Sequence, residues 1–447
     1  MKTKILPALA FALGTSFGLS SIRADDWPQW MGPSRDGTYL ETGIIDEIPA
    51  SGLEIKWRTP IAGGYSGPAV QGDRVVVMDY LKSEGEAVNN PGERASLQGD
   101  ERIHCLDAKT GEILWTHAYS RPYRISYPAG PRCTPTIDDQ TVYCLGAEGD
   151  LLALNLADGK LLWQKSFTND YGAPVPIWGH SAHPLVDGNL LICMIGGPGQ
   201  TVVAFDKRTG AEVWKALSAS AVGYCPPSII AAGGKRQLIV FHADGLASLD
   251  PATGSLYWEE PLKPSYEMTI CRPQRDGDLL YASGIGEKSL MLRLASDRPA
   301  VEEVWAEESR DRAVYCANST PILFDGVIYG ADCGSGKLIA VDEKSGERLW
   351  STFQATNPIN DRRVNHGTAF LTRIGDRILA FSETGDLLIF ACSREGYQEF
   401  GRFHVLEPTG ECFGRKVVWS HPAYAQRTAF IRNDKEIVAV SLSAPAP

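Results

Sequence analysis

Apolar and polar residues alternate in short runs along this chain, and the runs recur around one glycine-containing turn. The phrase reads HCLDAKTGEILW (His104 to Trp115), LALNLADGKLLW (Leu152 to Trp163) and VAFDKRTGAEVW (Val203 to Trp214). It returns as ASLDPATGSLYW (Ala247 to Trp258) and IAVDEKSGERLW (Ile339 to Trp350). Two looser copies, LRLASDRPAVEEVW and LIFACSREGYQEF, end at Trp305 and Phe400. Alternation with a period of two on both sides of a turn is the pattern of strand, turn and strand, not of a helix. Successive copies end 44 to 51 residues apart, which is the length of one four-stranded propeller blade.

Each part of the phrase has a physical task. The Asp or Asn before the turn bonds its own backbone, and the Gly supplies a positive φ at no steric cost. The closing Trp offers a broad apolar face to a neighbouring blade. Trp57, Trp115, Trp163, Trp214, Trp258, Trp305 and Trp350 are therefore read as structural docking residues. A second hairpin precedes each copy, with innermost strands starting near Tyr65, Arg132, His180, Tyr224, Ile270, Asn318, Asn365 and Ser420. Eight starts predict an all-β, eight-bladed propeller. The eighth blade is split: residues 436–441 match the strand before the turn, and 53–57 the strand after it. Pairing the two ends closes the ring and removes exposed sheet edges.

The remaining features bound the setting. Lys2 and Lys4 followed by an apolar stretch to Leu19 read as a signal peptide over 1–24, too short to span a membrane. A leader over 25–52, the propeller over 53–443 and a tail over 444–447 complete the division. The chain is expected to be exported, to periplasm or outside the cell, with no lipid-attachment cysteine and no integral membrane segment in its mature form. A net charge of −11 without a basic run argues against nucleic acid as a partner. Ten cysteines lack CxxC spacing, which excludes the usual zinc and redox motifs. Cys133 and Cys144 face each other if Asp138-Asp139 is a two-residue turn, and Cys316 and Cys333 flank Asp325-Gly326 with an offset. Cross-strand disulfides and simple buried thiols are both open readings.

The blade phrase resembles that of the pyrroloquinoline-quinone-like repeat propellers, the fold of quinoprotein alcohol dehydrogenases. The leader Asp26-Trp27-Pro28-Gln29-Trp30 and the stretches GTAFLTRIGDRILAFSETGDLLIF, VVWSHPAYAQR and IRNDKEIVAVSL resemble exported quinone-like repeat or outer-membrane-assembly-like propellers. That resemblance implies the fold and leaves the activity open. A binding scaffold would place a protein, peptide or small ligand over the funnel. Its candidate residues are Tyr65, Arg124, Arg132, His180, Tyr224, Arg272, Asn318, Arg362, Arg363, Asn365, His366 and His421. The alternative is an oxidoreductase using pyrroloquinoline quinone with calcium. It needs carboxylate and amide ligands, for which Glu267, Asn318 and Asn365 are the nearest set, and it lacks the adjacent cysteine pair on which such enzymes stack the quinone. A metal held by His180, His366 and His421 across the channel is a further option. His183 reads as a packed strand residue, because positions i and i+3 of a strand point to opposite faces. No catalytic residue, metal or cofactor is assigned, and a monomer is expected. Two insertions interrupt the repeat. The polar stretch 83–99 reads as a surface loop or a lid, and FTNDYGAPVPIWG (167–179) as a segment able to fold over the funnel.

Overall fold

Alternation and turn chemistry produce the expected ring. The computed structural model describes residues 26–359 and 362–445, so the signal-peptide assignment lies outside them. Eight antiparallel sheets follow one another around a central channel. In the second blade the strands run outward from Thr136–Asp138 through Thr141–Leu145 and Asp150–Asn155 to Leu161–Ser166. The other blades repeat this order. The innermost strands begin several residues later than the sequence places them. Residues such as Arg132, His180 and Asn365 therefore sit in irregular segments that enter the channel before each strand starts. The closing blade is composite. Its inner three strands are Ala423–Ala425, Thr428–Arg432 and Glu436–Ser441, and its outer strand is Ile55–Pro60, with Trp57 opposite Ala439.

The core lies between blades. Apolar clusters fill successive interfaces, and the largest spans the seam where the seventh, closing and first blades meet. The recurring Trp residues bridge these interfaces. Trp163 donates its indole N–H to Lys207 O at 3.1 Å, and a Cβ on Gly210 (φ +71°) would stand 2.8 Å from its ring. Trp57, Trp115, Trp214, Trp305 and Trp350 make the same kind of bond to Ala108, Leu156, Pro251, Glu343 and Ser393. Trp258 departs from the pattern and donates to Gln237 Oε1 of its own blade at 2.8 Å. The corresponding turn of the next blade carries Asp297-Arg298-Pro299, with no glycine to receive the ring.

The ten cysteines are free thiols, and nine of them are buried. Thr136 pairs with Tyr143, so the turn is centred one residue later than the proposed Asp138-Asp139. Cys133 lies in the irregular segment before the strand that starts at Thr136 and packs beside Cys193 between the second and third blades, while Cys144 packs beside Cys105 between the first and second. The blade itself separates them. Cys316 is buried between the fifth and sixth blades, and Cys333 lies next to His366.

The leader forms a strut rather than a tail. Trp27 bridges to Val70 of the first blade, Thr38 to Arg373 of the seventh and Ile44 to Ser443 beyond the last strand. Between these points Arg35 is buried and donates to Gln29 Oε1 (2.7 Å), His183 O (3.2 Å), Pro227 O (3.1 Å) and Pro184 O. Burial and the neighbouring Arg272 lower its pKa to about 9, so it stays charged, with carbonyl dipoles around it.

Gly210 and Gly188 both sit at positive φ, but a Cβ on Gly188 meets nothing within 4 Å. Gly188→Ala is expected to cost about 1 kcal/mol, the left-handed strain alone. Gly210→Ala is expected to cost roughly 1–3 kcal/mol more, because it also drives a methyl into Trp163. Denaturant melts of both variants measure the difference.

Candidate functional site

The strut turns the channel into a dead end. Trp30, just before its turn, is 3% exposed and stacks on His183 at 4.8 Å between ring centroids. It also meets the ring of His421 edge-on at 5.5 Å, and His421 packs on Phe370 at 4.3 Å. These four rings form the floor of a cavity of about 800 Å³. Tyr65, Tyr127, Tyr224 and Trp419 line its walls, with Tyr266 and Phe413 also on its lining. Tyr266 is 76% exposed and Phe413 48% exposed, an unusual position for large rings in water.

A roof covers part of the mouth. The first blade's middle strands, Arg74–Glu84 and Ala95–Asp107, extend beyond the ring, and Tyr123–Ile125 pairs with the longer one. Their connecting loop brings Pro91 and Gly92 to the cavity. The loop is tied at several points: Trp178 Nε1 donates to Pro91 O (3.2 Å), Asn89 Nδ2 to Glu411 O (2.7 Å) and Ser126 Oγ to Asn90 O. Arg94 grips Arg124 O and Val175 O, each at 2.8 Å. The insertion at 83–99 thus covers part of the mouth as a lid bonded to the segment 167–179. At its base, buried Glu101 accepts from the hydroxyls of Tyr119 and Tyr123 and from Ala147 N–H. Across the mouth, buried Glu383 holds Arg415 at 2.8 and 3.0 Å and Trp419 Nε1 at 3.1 Å. That carboxylate anchors the hairpin that presents Phe413.

The site is aromatic and nearly uncharged. Glu267 is the carboxylate on its lining and Arg132 the guanidinium. Arg132 lies 5.2 Å over the Tyr65 ring and donates to Ser126 O (2.8 Å), Tyr127 O (2.6 Å) and Gly130 O. Burial holds His421 at about 3, and burial with the nearby Arg415 holds His366 at about 4. His183 is held well below its ordinary value by burial and by its neighbours His421 and Arg35. All three imidazoles are neutral near pH 7. His183 Nδ1 accepts from Thr134 N–H at 2.7 Å, which leaves its proton on Nε2.

Seven of the twelve residues expected at the funnel line this cavity: Tyr65, Arg132, Tyr224, Asn318, Asn365, His366 and His421. Arg363 lines an adjoining space instead, together with Asn365 and Phe413. Arg124 is exposed on the lid's supporting strand, and Arg362 is exposed on the surface. His180 is buried edge-on against Phe167, and Arg272 is buried against Gln274. The three-histidine arrangement is therefore not formed, and among the described residues no group of three His, Cys, Asp or Glu side chains could hold a metal. His183 is packed and hydrogen-bonded, as expected, but residues 179–184 are irregular, so the strand argument does not apply and its place on the cavity floor was not foreseen. Sequence reasoning also missed the floor Trp30, the wall residues Tyr127, Phe370 and Trp419, and the rim residues Pro91 and Phe413.

The donor set does not fit quinone with calcium. Among the described residues a tricarboxylate would meet one lining guanidinium, and a calcium ion one lining carboxylate with two amides, Asn318 and Asn365.

Fold and cavity together define a quinoprotein-like repeat propeller with a floored funnel. The chain belongs to the PQQ_2 family, whose model is described as outer membrane protein assembly factor BamB and matches residues 47–195, 99–352 and 198–441. It is 22% identical over 295 residues to an outer membrane protein assembly factor BamB of Yersinia pestis, covering 65% of this chain and 61% of that one. It is 26% identical over 147 residues to the BamB of Kangiella koreensis, covering 32% of this chain and 34% of that one. The chain thus spans between a third and two thirds of these relatives. The quinohemoprotein alcohol dehydrogenase of Comamonas testosteroni has the same fold, with a TM-score of 0.58 at 12% identity over 96% of this chain and 82% of that one. Among the described residues no helix is long and apolar enough to cross a membrane.

The buried histidines set an acid limit. An unfolded imidazole titrates near 6.5, so below that pH the unfolded chain binds more protons than the folded one. Their stabilising contribution is full above about 6.5 and is lost as pH falls toward the folded values near 3 to 4. Asp150, raised by burial to about 6, works in the opposite sense, so a comparison of variants isolates the effect. Melting temperature is expected to fall between pH 6.5 and 4 less steeply in His421→Phe than in the parent chain. Equal slopes would show that His421 is not held neutral.

Proposed function

We propose that this chain is an exported binding propeller of the cell envelope that serves protein assembly, receiving a segment of a protein partner in its roofed funnel without chemistry of its own. The observation that carries the reading is the dead-ended aromatic cavity of about 800 Å³. That size lies within the range of about 300–1,000 Å³ usual for ligand sites, and it exceeds what one side chain fills. Large rings exposed at the rim offer rigid contact area to a partner at small entropic cost. The lining favours binding over catalysis. Its imidazoles are neutral, its carboxylate stands alone, and its cysteine neighbours Cys333 and Cys412 are thiols that burial pushes up to about 12 and about 11. The envelope setting draws support from the relatives named outer membrane protein assembly factors.

Two measurements test this against the dehydrogenase alternative. A photo-crosslinking residue at position 266, expressed in the native envelope, is expected to give a protein adduct that weakens when Ser181, which lines the cavity, is changed to fill it (Ser181→Trp). Pyrroloquinoline quinone with calcium is expected to leave absorbance and melting temperature unchanged. Stoichiometric quinone uptake, or an adduct indifferent to the filled cavity, would overturn the reading.

A further inference from the structure

A second cavity of about 560 Å³ adjoins the funnel and shares Asn365 and Phe413 with it. Its other lining residues are Arg363, Val364 and Arg415, so among the described residues it has two guanidinium groups and no carboxylate on its wall. Glu383, the acid that faces Arg415, is 1% exposed and sits behind it. It takes Nε and Nη2 of Arg415, leaving Nη1 outside that pair. Arg363 donates through Nε to Gly334 O at 2.6 Å, which leaves both its terminal amino groups outside that bond. His366, stacked on Phe413 at 5.1 Å, brings no compensating negative charge.

Two guanidinium forks and an amide beside a low-polarity cavity make a receptor for one anion. Forked N–H donors match carboxylate oxygens, and a charge-assisted bond is about twice as strong as a neutral one. A polyanion fits poorly, because the adjoining funnel is apolar and, among the described residues, lined by one guanidinium. We infer that this vestibule binds a carboxylate, and that the ligand carries it on an apolar or aromatic body lying across Phe413 into the funnel. The inference rests on the funnel being a binding site and adds the charge that the ligand must bear. The same chemistry is offered by the terminus or an acidic side chain of a protein partner and by a free organic acid.

The test titrates the full mature chain with 3-phenylpropionate and its amide, and with Gly-Gly-Phe bearing a free or an amidated C-terminus. Each acid is expected to bind at least about tenfold tighter than its amide. The gap is expected to narrow as salt is raised and to close in Arg363→Gln. Arg363 is exposed and should leave melting unchanged. Arg415→Lys is the second variant, since it keeps a cation beside Glu383 while removing the fork. Tighter binding of the peptide assigns the carboxylate to a protein partner, and tighter binding of phenylpropionate assigns it to a free acid; both support the vestibule. Equal binding of acid and amide, or a gap unchanged in Arg363→Gln, overturns it while leaving the funnel intact as a site. Binding of neither probe also overturns it, and the funnel reading then stands or falls by the crosslinking result alone.

Discussion

Everything in this molecule depends on the pairing of its first strand with its last. A ring of sheets has no covalent closure, so the pairing of Ile55–Pro60 with Glu436–Ser441 must hold against the entropy of the open chain. The largest apolar cluster lies at this seam, and it includes Trp27, Tyr39, Ile45 and Ile48 of the leader as well as Trp57. Closure also decides where the leader goes. Once residue 55 is fixed at the outer edge of the last blade, residues 26–54 have to run across a face of the ring. Their path puts Trp30 and Arg35 into the channel. The strand that seals the ring therefore also delivers the floor of the cavity.

Repeated and unrepeated residues divide the work. The Asp, Gly and Trp positions of the recurring phrase build turns and interfaces, and they recur because the same geometric problem recurs. The cavity is built from what does not repeat: the extended hairpin of the first blade, the 167–179 segment, the Ser265–Glu267 turn and the hairpin carrying Phe413. Each is fastened by a buried or bonded polar group, Glu101 under the lid and Glu383 under Trp419 being the clearest. Such anchoring presents aromatic rings to solvent without letting them collapse on one another. It also places Arg363 and Arg415 beside the funnel, whose own lining carries Arg132 and Glu267.

The ring was legible in the sequence because its signals are local. A turn glycine and a Trp a few residues later announce five of the blades, two looser copies continue the spacing, and the split blade follows from matching the two ends. Trp258 shows the limit: its own phrase is regular, but its bond depends on the next blade, where Asp297-Arg298-Pro299 replaces the receiving turn. The cysteines show another, since Cys133 lies in the irregular segment before the strand that starts at Thr136, where strand alternation no longer sets its face, and it packs on the side of the blade opposite Cys144. The site was half legible. Tyr65, Arg132, Tyr224, Asn318, Asn365, His366 and His421 follow from their place before the inner strands. The Trp30–His183 floor joins residues about 150 positions apart through a leader with no repeat pattern, so nothing local could announce it. Trp419 was within reach, standing two residues before His421 in an irregular segment that enters the channel.

The central claim is that the funnel, floored by the leader and roofed by the lid, is where this propeller engages its ligand. Hydrogen–deuterium exchange on the chain with and without the partner captured at position 266 addresses it directly. New protection is expected in the lid loop around Asn90, in the Ser265–Glu267 turn and along the hairpin leading to Trp419. Protection confined to outer strands such as Leu161–Ser166, with the lid and floor unchanged, would contradict it.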